Sequence, residues 1–191
     1  MRNICIAAAA LLSISMTQEA RATSVLYADK GTDSGLGVVS QNGSAAADDF
    51  TVPTGKTWTI KEVDVTGVYL NGAGPADSET VTFYKAVNGT VGKVVASYPG
   101  RIGIEDGYGS FRIAIPRTKL KSGTYFVSVV INMSFETGGE WHWENLLQVH
   151  GNAPEWEDPS GSGDCQTWTL ETTCFGPGIG DHFFKLRGSV D

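Results

Sequence analysis

Positive charge is what this chain has least of. Its 191 residues carry 14 Lys and Arg against 21 Asp and Glu, a formal net charge of -7. The shortage is local. Residues 23–135 balance acids with bases, whereas residues 136–191 set only Lys185 and Arg187 against ten acidic side chains. Without clustered Lys and Arg to meet phosphates, the composition argues against nucleic acid as a partner. Cysteine is scarce too, at three residues. No window of twelve or more residues carries the i, i+3, i+4 apolar spacing of a helix, so an all-α or α/β fold is excluded. There is no Gly-x-Ser-x-Gly elbow for a Ser-His-Asp hydrolase and no Gly-rich phosphate loop. Carboxylates are plentiful, but nothing singles out the spaced pair of a glycosidase. A non-enzyme is therefore expected, with a carboxylate- or metal-dependent hydrolase as an alternative.

What is present begins with an export signal. Met1-Arg2-Asn3 supplies a positive end, Ile4 to Ile14 an apolar run, and Ala20-Arg21-Ala22 a small-x-small cleavage site. Residues 1–22 thus read as a secretory signal peptide, leaving 23–191 as one domain, extracellular or periplasmic. The apolar run is shorter than the ~20 residues that span a bilayer, and no second one follows, so no membrane span is expected. Loss of Cys5 with the signal leaves Cys165 and Cys174. In an exported chain these are expected to form one disulfide, closing a short loop and stabilising it by about 2.5–3 kcal/mol.

The rest alternates with the period of a strand. Trp58 and Ile60 share one face; Val63, Val65, Gly67 and Tyr69 continue it on odd positions, and the phase change at Lys61-Glu62 predicts a bulge or break. Val81 and Phe83, Phe111, Ile113 and Ile115, and Tyr125 through Ile131 repeat the alternation. Lys93–Tyr98, Glu140–Val149 and His182–Leu186 are further strand candidates. Turn sequences such as Asn71-Gly72, Asn88-Gly89 and Asp106-Gly107 separate the runs. Many short strands imply an antiparallel β-sandwich or barrel. Residues 153–164 are the least regular stretch and read as a long loop tethered by Cys165.

Several segments resemble a family of secreted bacterial β-sandwich modules found in surface and exported multidomain proteins. They are Asp48-Asp49-Phe50-Thr51-Val52-Pro53, Trp58-Thr59-Ile60, Gly72-Ala73-Gly74-Pro75, Val81-Thr82-Phe83-Tyr84 and Gly123 to Val129. Trp141-His142-Trp143-Glu144-Asn145, the Cys165-to-Cys174 segment and Asp181 to Gly188 complete the set. The likeness covers nearly all of residues 23–191. It implies a jelly-roll-like sandwich and brings little function with it.

The candidate site lies in the acidic last third, which holds all three His and four of the five Trp. Trp141 and Trp143 share a strand face, with Glu140, His142 and Glu144 on the other. Indole faces stack on sugar rings and carboxylates accept sugar hydroxyls. Trp141, Trp143, Glu144, Trp156 and Glu157 are accordingly the expected ligand-binding residues, for a glycan or a surface protein. For Trp141 and Trp143 a core position is the stronger reading, because one Trp face of a sandwich strand is usually core. Glu140, His142 and Glu144, helped by His150 or His182, could hold zinc. Asp29, Asp33, Asp48 and Asp49 are the candidate ligands of a structural calcium ion; turn-forming Asp residues are the alternative. No other cofactor is expected. Asn42, Asn88 and Asn132 begin Asn-x-Ser/Thr acceptors, which in a bacterial host would carry nothing.

Overall fold

The computed structural model describes residues 23–161 and 163–191. The expected signal peptide, with Cys5, lies outside the described residues. The strands are β1 (Ser24–Ala28), β2 (Asp33–Val39), β3 (Ala45–Val65), β4 (Gly67–Leu70), β5 (Ser78–Val87), β6 (Thr90–Arg101), β7 (Ile104–Glu105), β8 (Phe111–Asn132), β9 (Glu140–Leu146), β10 (Glu155–Glu157), β11 (Thr169–Leu170) and β12 (Phe184–Val190). Two single-turn helices, α1 (Phe135–Gly138) and α2 (Glu171–Phe175), interrupt them. The protein is all-β and its named ladders are antiparallel, as the alternation implies.

Among the described residues the main path of a nine-stranded sheet runs β1-β12-β3-β8-β5-β6, and a three-stranded sheet runs β2-β9-β4. The spine is the ladder of β3 against β8, from Ala47↔Ser128 to Val65↔Phe111. This ladder is bent into a sandwich. Phe50 stacks on Trp58 with ring centroids 6.2 Å apart. Eight residues of straight strand would separate them by about 26 Å, so β3 turns back between them. The corner is the exposed Pro53-Thr54-Gly55-Lys56, where pairing lapses between Val52↔Gly123 and Thr57↔Lys121. Gly55 sits there at φ 75°, a conformation that favours glycine.

The phase change read in the sequence is a bulge. β12 pairs Gly188 with Ile60 and Arg187 with Glu62, which leaves Lys61 as the extra residue. Trp58, Ile60, Val63 and Val65 all stay in the core because of it. Phe50 is the hub, with Tyr27, Phe83, Tyr125 and Phe184 around it.

The three-stranded sheet presents one face of β9 to this core. Trp141 meets Phe111 edge-on, and Trp143 meets Phe184. Gly67 on β4 is required here, because a Cβ at that position would run into the Trp141 ring. The expected long loop at 153–164 is partly a strand: β10 pairs with β3 through Glu155↔Ala47, Trp156↔Ala46 and Glu157↔Ala45. The small Ala45-Ala46-Ala47 run lets it lie close. Cys165 and Cys174 are disulfide-bonded, Cα atoms 6.1 Å apart, as expected.

Candidate functional site

The ligand-binding residues expected from sequence do not form one site. Trp141 and Trp143 are 0% exposed. Their indole N–H groups donate to the carbonyls of Gly109 and Phe183 at 2.7 and 3.0 Å, so both ends of each side chain are occupied by protein. Neither can stack on a ligand; the paired Trp face of β9 is core. Glu144 lies on the opposite face, half-buried, where burial and then the charges of Asp33 and Asp106 raise its carboxyl. Glu157 points away from Trp156 by strand alternation, towards Tyr84 and the Trp168 backbone.

Trp156 alone borders open clefts, with its half-buried ring packed against the core. Its Nε1 donates to Val39 O at 2.7 Å and its ring meets Phe175 edge-on at 4.8 Å. Two clefts adjoin it. One, of about 280 Å³, is lined by Trp156, Asp158, Gln166, Phe175 and the disulfide. The other, of about 390 Å³, is lined by Trp156, Asp158, Phe175, Phe135, Glu140 and Asn42. Phe135 and Phe175 are exposed. The Trp156 region thus presents three aromatic rings with carboxylates and amides between them, a chemistry suited to C–H stacking and hydroxyl hydrogen bonds.

The second candidate is electrostatic. Asp29, Asp48, Asp49 and Asp181 are 7, 0, 3 and 0% exposed, and no Lys or Arg pairs with any of them among the described residues. Three segments bring them together: the residue after β1, the beginning of β3, and the approach to β12; the loop after β9 packs on them through His150 and Asn152. Asp48 Oδ2 accepts the His182 N–H at 2.6 Å and its Oδ1 the Asp49 N–H at 2.7 Å. Asp49 holds the loop, accepting the backbone N–H and side-chain amide of Asn152 at 3.1 and 2.8 Å. Asp29 Oδ1 accepts the Tyr27 hydroxyl at 2.7 Å. Asp181 Oδ2 accepts the His150 backbone N–H and lies 3.0 Å from His150 Nδ1. Asp29 Oδ2 and Asp181 Oδ1 are buried with no hydrogen-bond partner among the described residues.

Burial is the main force on these carboxyls. It drives Asp29 up to about 7, with repulsion from Asp181 and Asp49 adding and the Tyr27 hydrogen bond opposing. It drives Asp49 to about 6, against its two hydrogen bonds from Asn152. Asp48 rises well above the usual range through burial and then the charges of Asp181 and Asp29. Asp181 also rises by burial, with His150 opposing.

Three of the four expected calcium ligands, Asp29, Asp48 and Asp49, are therefore neighbours. Asp33 is not among them. It opens β2, opposite Leu146, and its Oδ1 closes a turn onto the Gly35 N–H at 2.8 Å. Among the described residues Glu140, His142 and Glu144 do not converge into a three-donor group: His142 Nε2 lies 3.6 Å from Glu140, and its Nδ1 is 3.1 Å from Gly37 O. The group whose donor atoms come within 4.8 Å of one another is Asp29, His150 and Asp181.

A buried polar knot stands behind it. His182 Nε2 lies 2.7 Å from Glu171 Oε1, Asn145 Nδ2 lies 3.1 Å from His182 Nδ1, and the imidazole stacks on Trp143 at 4.4 Å. All three residues are fully buried, without a nucleophile, and they tie α2 to β9 and β12. Glu171, Asn145 and Asp181 were not among the site residues expected from sequence, because polar side chains read as surface and their burial depends on segments distant along the chain. No family model, curated protein or solved structure matches the chain. No helix among the described residues is long and apolar enough to cross a membrane.

Proposed function

We propose that this protein is an exported, non-catalytic binding module whose ligand is an extracellular glycan held along the clefts around Trp156. One observation carries the reading: two adjoining clefts share Trp156, Asp158 and Phe175. Aromatic rings, carboxylates and amides line the two clefts together. The disulfide in the cleft wall fits an oxidising compartment, and the leader at residues 1–22 agrees with it. A glycan array followed by calorimetry on the best hit tests the proposal. Phe175→Ala, an exposed position, is expected to weaken binding at least tenfold without lowering the melting temperature, and Trp156→Ala to abolish binding. Absence of binding by the wild type, or equal binding by Phe175→Ala, would overturn it.

A second reading, a protein-interaction component of the cell surface, is favoured by the sheet edge at β6. That edge exposes Val94 and Val95, and the following connection exposes Ile102, Ile104 and Tyr108 at 77, 76 and 79%. Open strand edges and apolar patches are where other chains add.

A further inference from the structure

We propose that Asp29, Asp181 and His150 form a site for a divalent transition ion of the zinc class. Three independent features converge on it. First, the donors are assembled: one ligand atom from each of the three residues lies within 4.8 Å of the others. Such a set needs only a small contraction to surround one ion, whose N and O ligands sit ~2.0–2.2 Å away. Second, two oxygens are left over. Asp29 Oδ2 and Asp181 Oδ1 lack partners among the described residues, on side chains 3 and 1% exposed. A buried carboxylate oxygen without a donor is costly, and a cation supplies what is missing. Third, no Lys or Arg pairs with the group among the described residues. Asp48 and Asp49 adjoin the site with their oxygens already engaged by Asn152 and by backbone N–H groups, so they stand beside the ligand set and are not part of it.

The imidazole selects the ion. An all-oxygen set would suit calcium, whereas His150 with two carboxylates suits zinc and leaves a fourth position for water. His150 side chain is 48% exposed, which gives the ion a route from solvent. The supports are already fixed. Tyr27 orients Asp29, the His150 N–H orients Asp181, and Asp49 pins the loop that carries His150 through Asn152. Asp29 and Asp181 balance the charge of a dication, and metal binding displaces the protons that burial otherwise retains on these carboxyls.

The test is calorimetric titration of the purified, EDTA-stripped protein with ZnCl2 and separately with CaCl2. One zinc per chain is expected, bound at least tenfold more tightly than calcium and with release of protons. His150→Ala is expected to weaken zinc at least tenfold while the fold persists in EDTA, since the His150 backbone N–H that holds Asp181 remains. Asp29→Asn is expected to weaken it similarly, and His142→Ala to leave it unaltered. Lack of saturable zinc binding would overturn the site, leaving the cluster held by shared protons. Equal zinc affinity in His150→Ala, or a preference for calcium indifferent to His150, would overturn it as well. None of these outcomes bears on the glycan reading.

Discussion

Four carboxylates share one end of the sandwich, and their protonation couples stability to pH. Asp29 and Asp49 hold protons in the folded state up to about pH 7 and 6, far above a free aspartate. Asp48 and Asp181 shift the same way, with Tyr27, His150 and His182 facing them. A carboxyl whose folded pKa is raised stabilises the fold below its unfolded pKa and loses that contribution as pH rises through the folded value. In EDTA, the urea midpoint is therefore expected to fall between pH 4 and 7.5. The slope for Asp29 reaches at most about 1.4 kcal/mol per pH unit, and saturating zinc should remove the decline. A midpoint that rises over this range would contradict the burial of these groups. At Trp141 the expectation is steric. Trp141→Ala should cost about 3–5 kcal/mol in urea denaturation. Gly67→Ala should also destabilise, since its new methyl meets the same ring. The alternation in Trp141-His142-Trp143 was legible in sequence as a two-faced strand. Which face was core was not, because that depends on Phe111 and Phe184 arriving from distant strands.

Elements differ in how much the sequence disclosed of them. The bulge at Lys61 was readable because a phase change in a period-2 pattern has few other causes. β8 was readable over Phe111–Ile115 and Tyr125–Ile131 because both stretches keep one face apolar. β10 was missed: three residues, Glu155-Trp156-Glu157, are too few to show a period. Its acidic members also read as surface, although Glu155 is buried with Oε1 accepting the Val91 N–H at 3.2 Å. The Trp156 clefts were half legible for the same reason. Trp156 was singled out in sequence, but its neighbours Phe175 and Phe135 come from α2 and α1, which carry no periodic signal. The disulfide links the loop after β10 to α2 and walls the cleft. Cys165→Ser with Cys174→Ser is expected to cost about 2.5–3 kcal/mol in urea denaturation. It should also weaken glycan binding more than it alters the far-ultraviolet circular dichroism.

For the whole molecule, the exposed edge separates the two functional readings. If β6 and the segment after it serve as a docking edge, paired Ile102→Asp and Ile104→Asp substitutions should abolish concentration-dependent association in sedimentation velocity. Glycan binding would then persist. If the clefts at Trp156 are the business end, the same pair should change neither sedimentation nor glycan affinity. The placement of β12 has a different consequence, in time rather than space. β12, residues 184–190, lies between β1 and β3, so the earliest described strand has no ladder partner until β12 docks beside it. Sequence-distant pairing of this kind is slow, because loop closure must precede any reward. The nine-stranded sheet therefore closes only once β12 has docked between β1 and β3, and the order of strand pairing follows space rather than sequence.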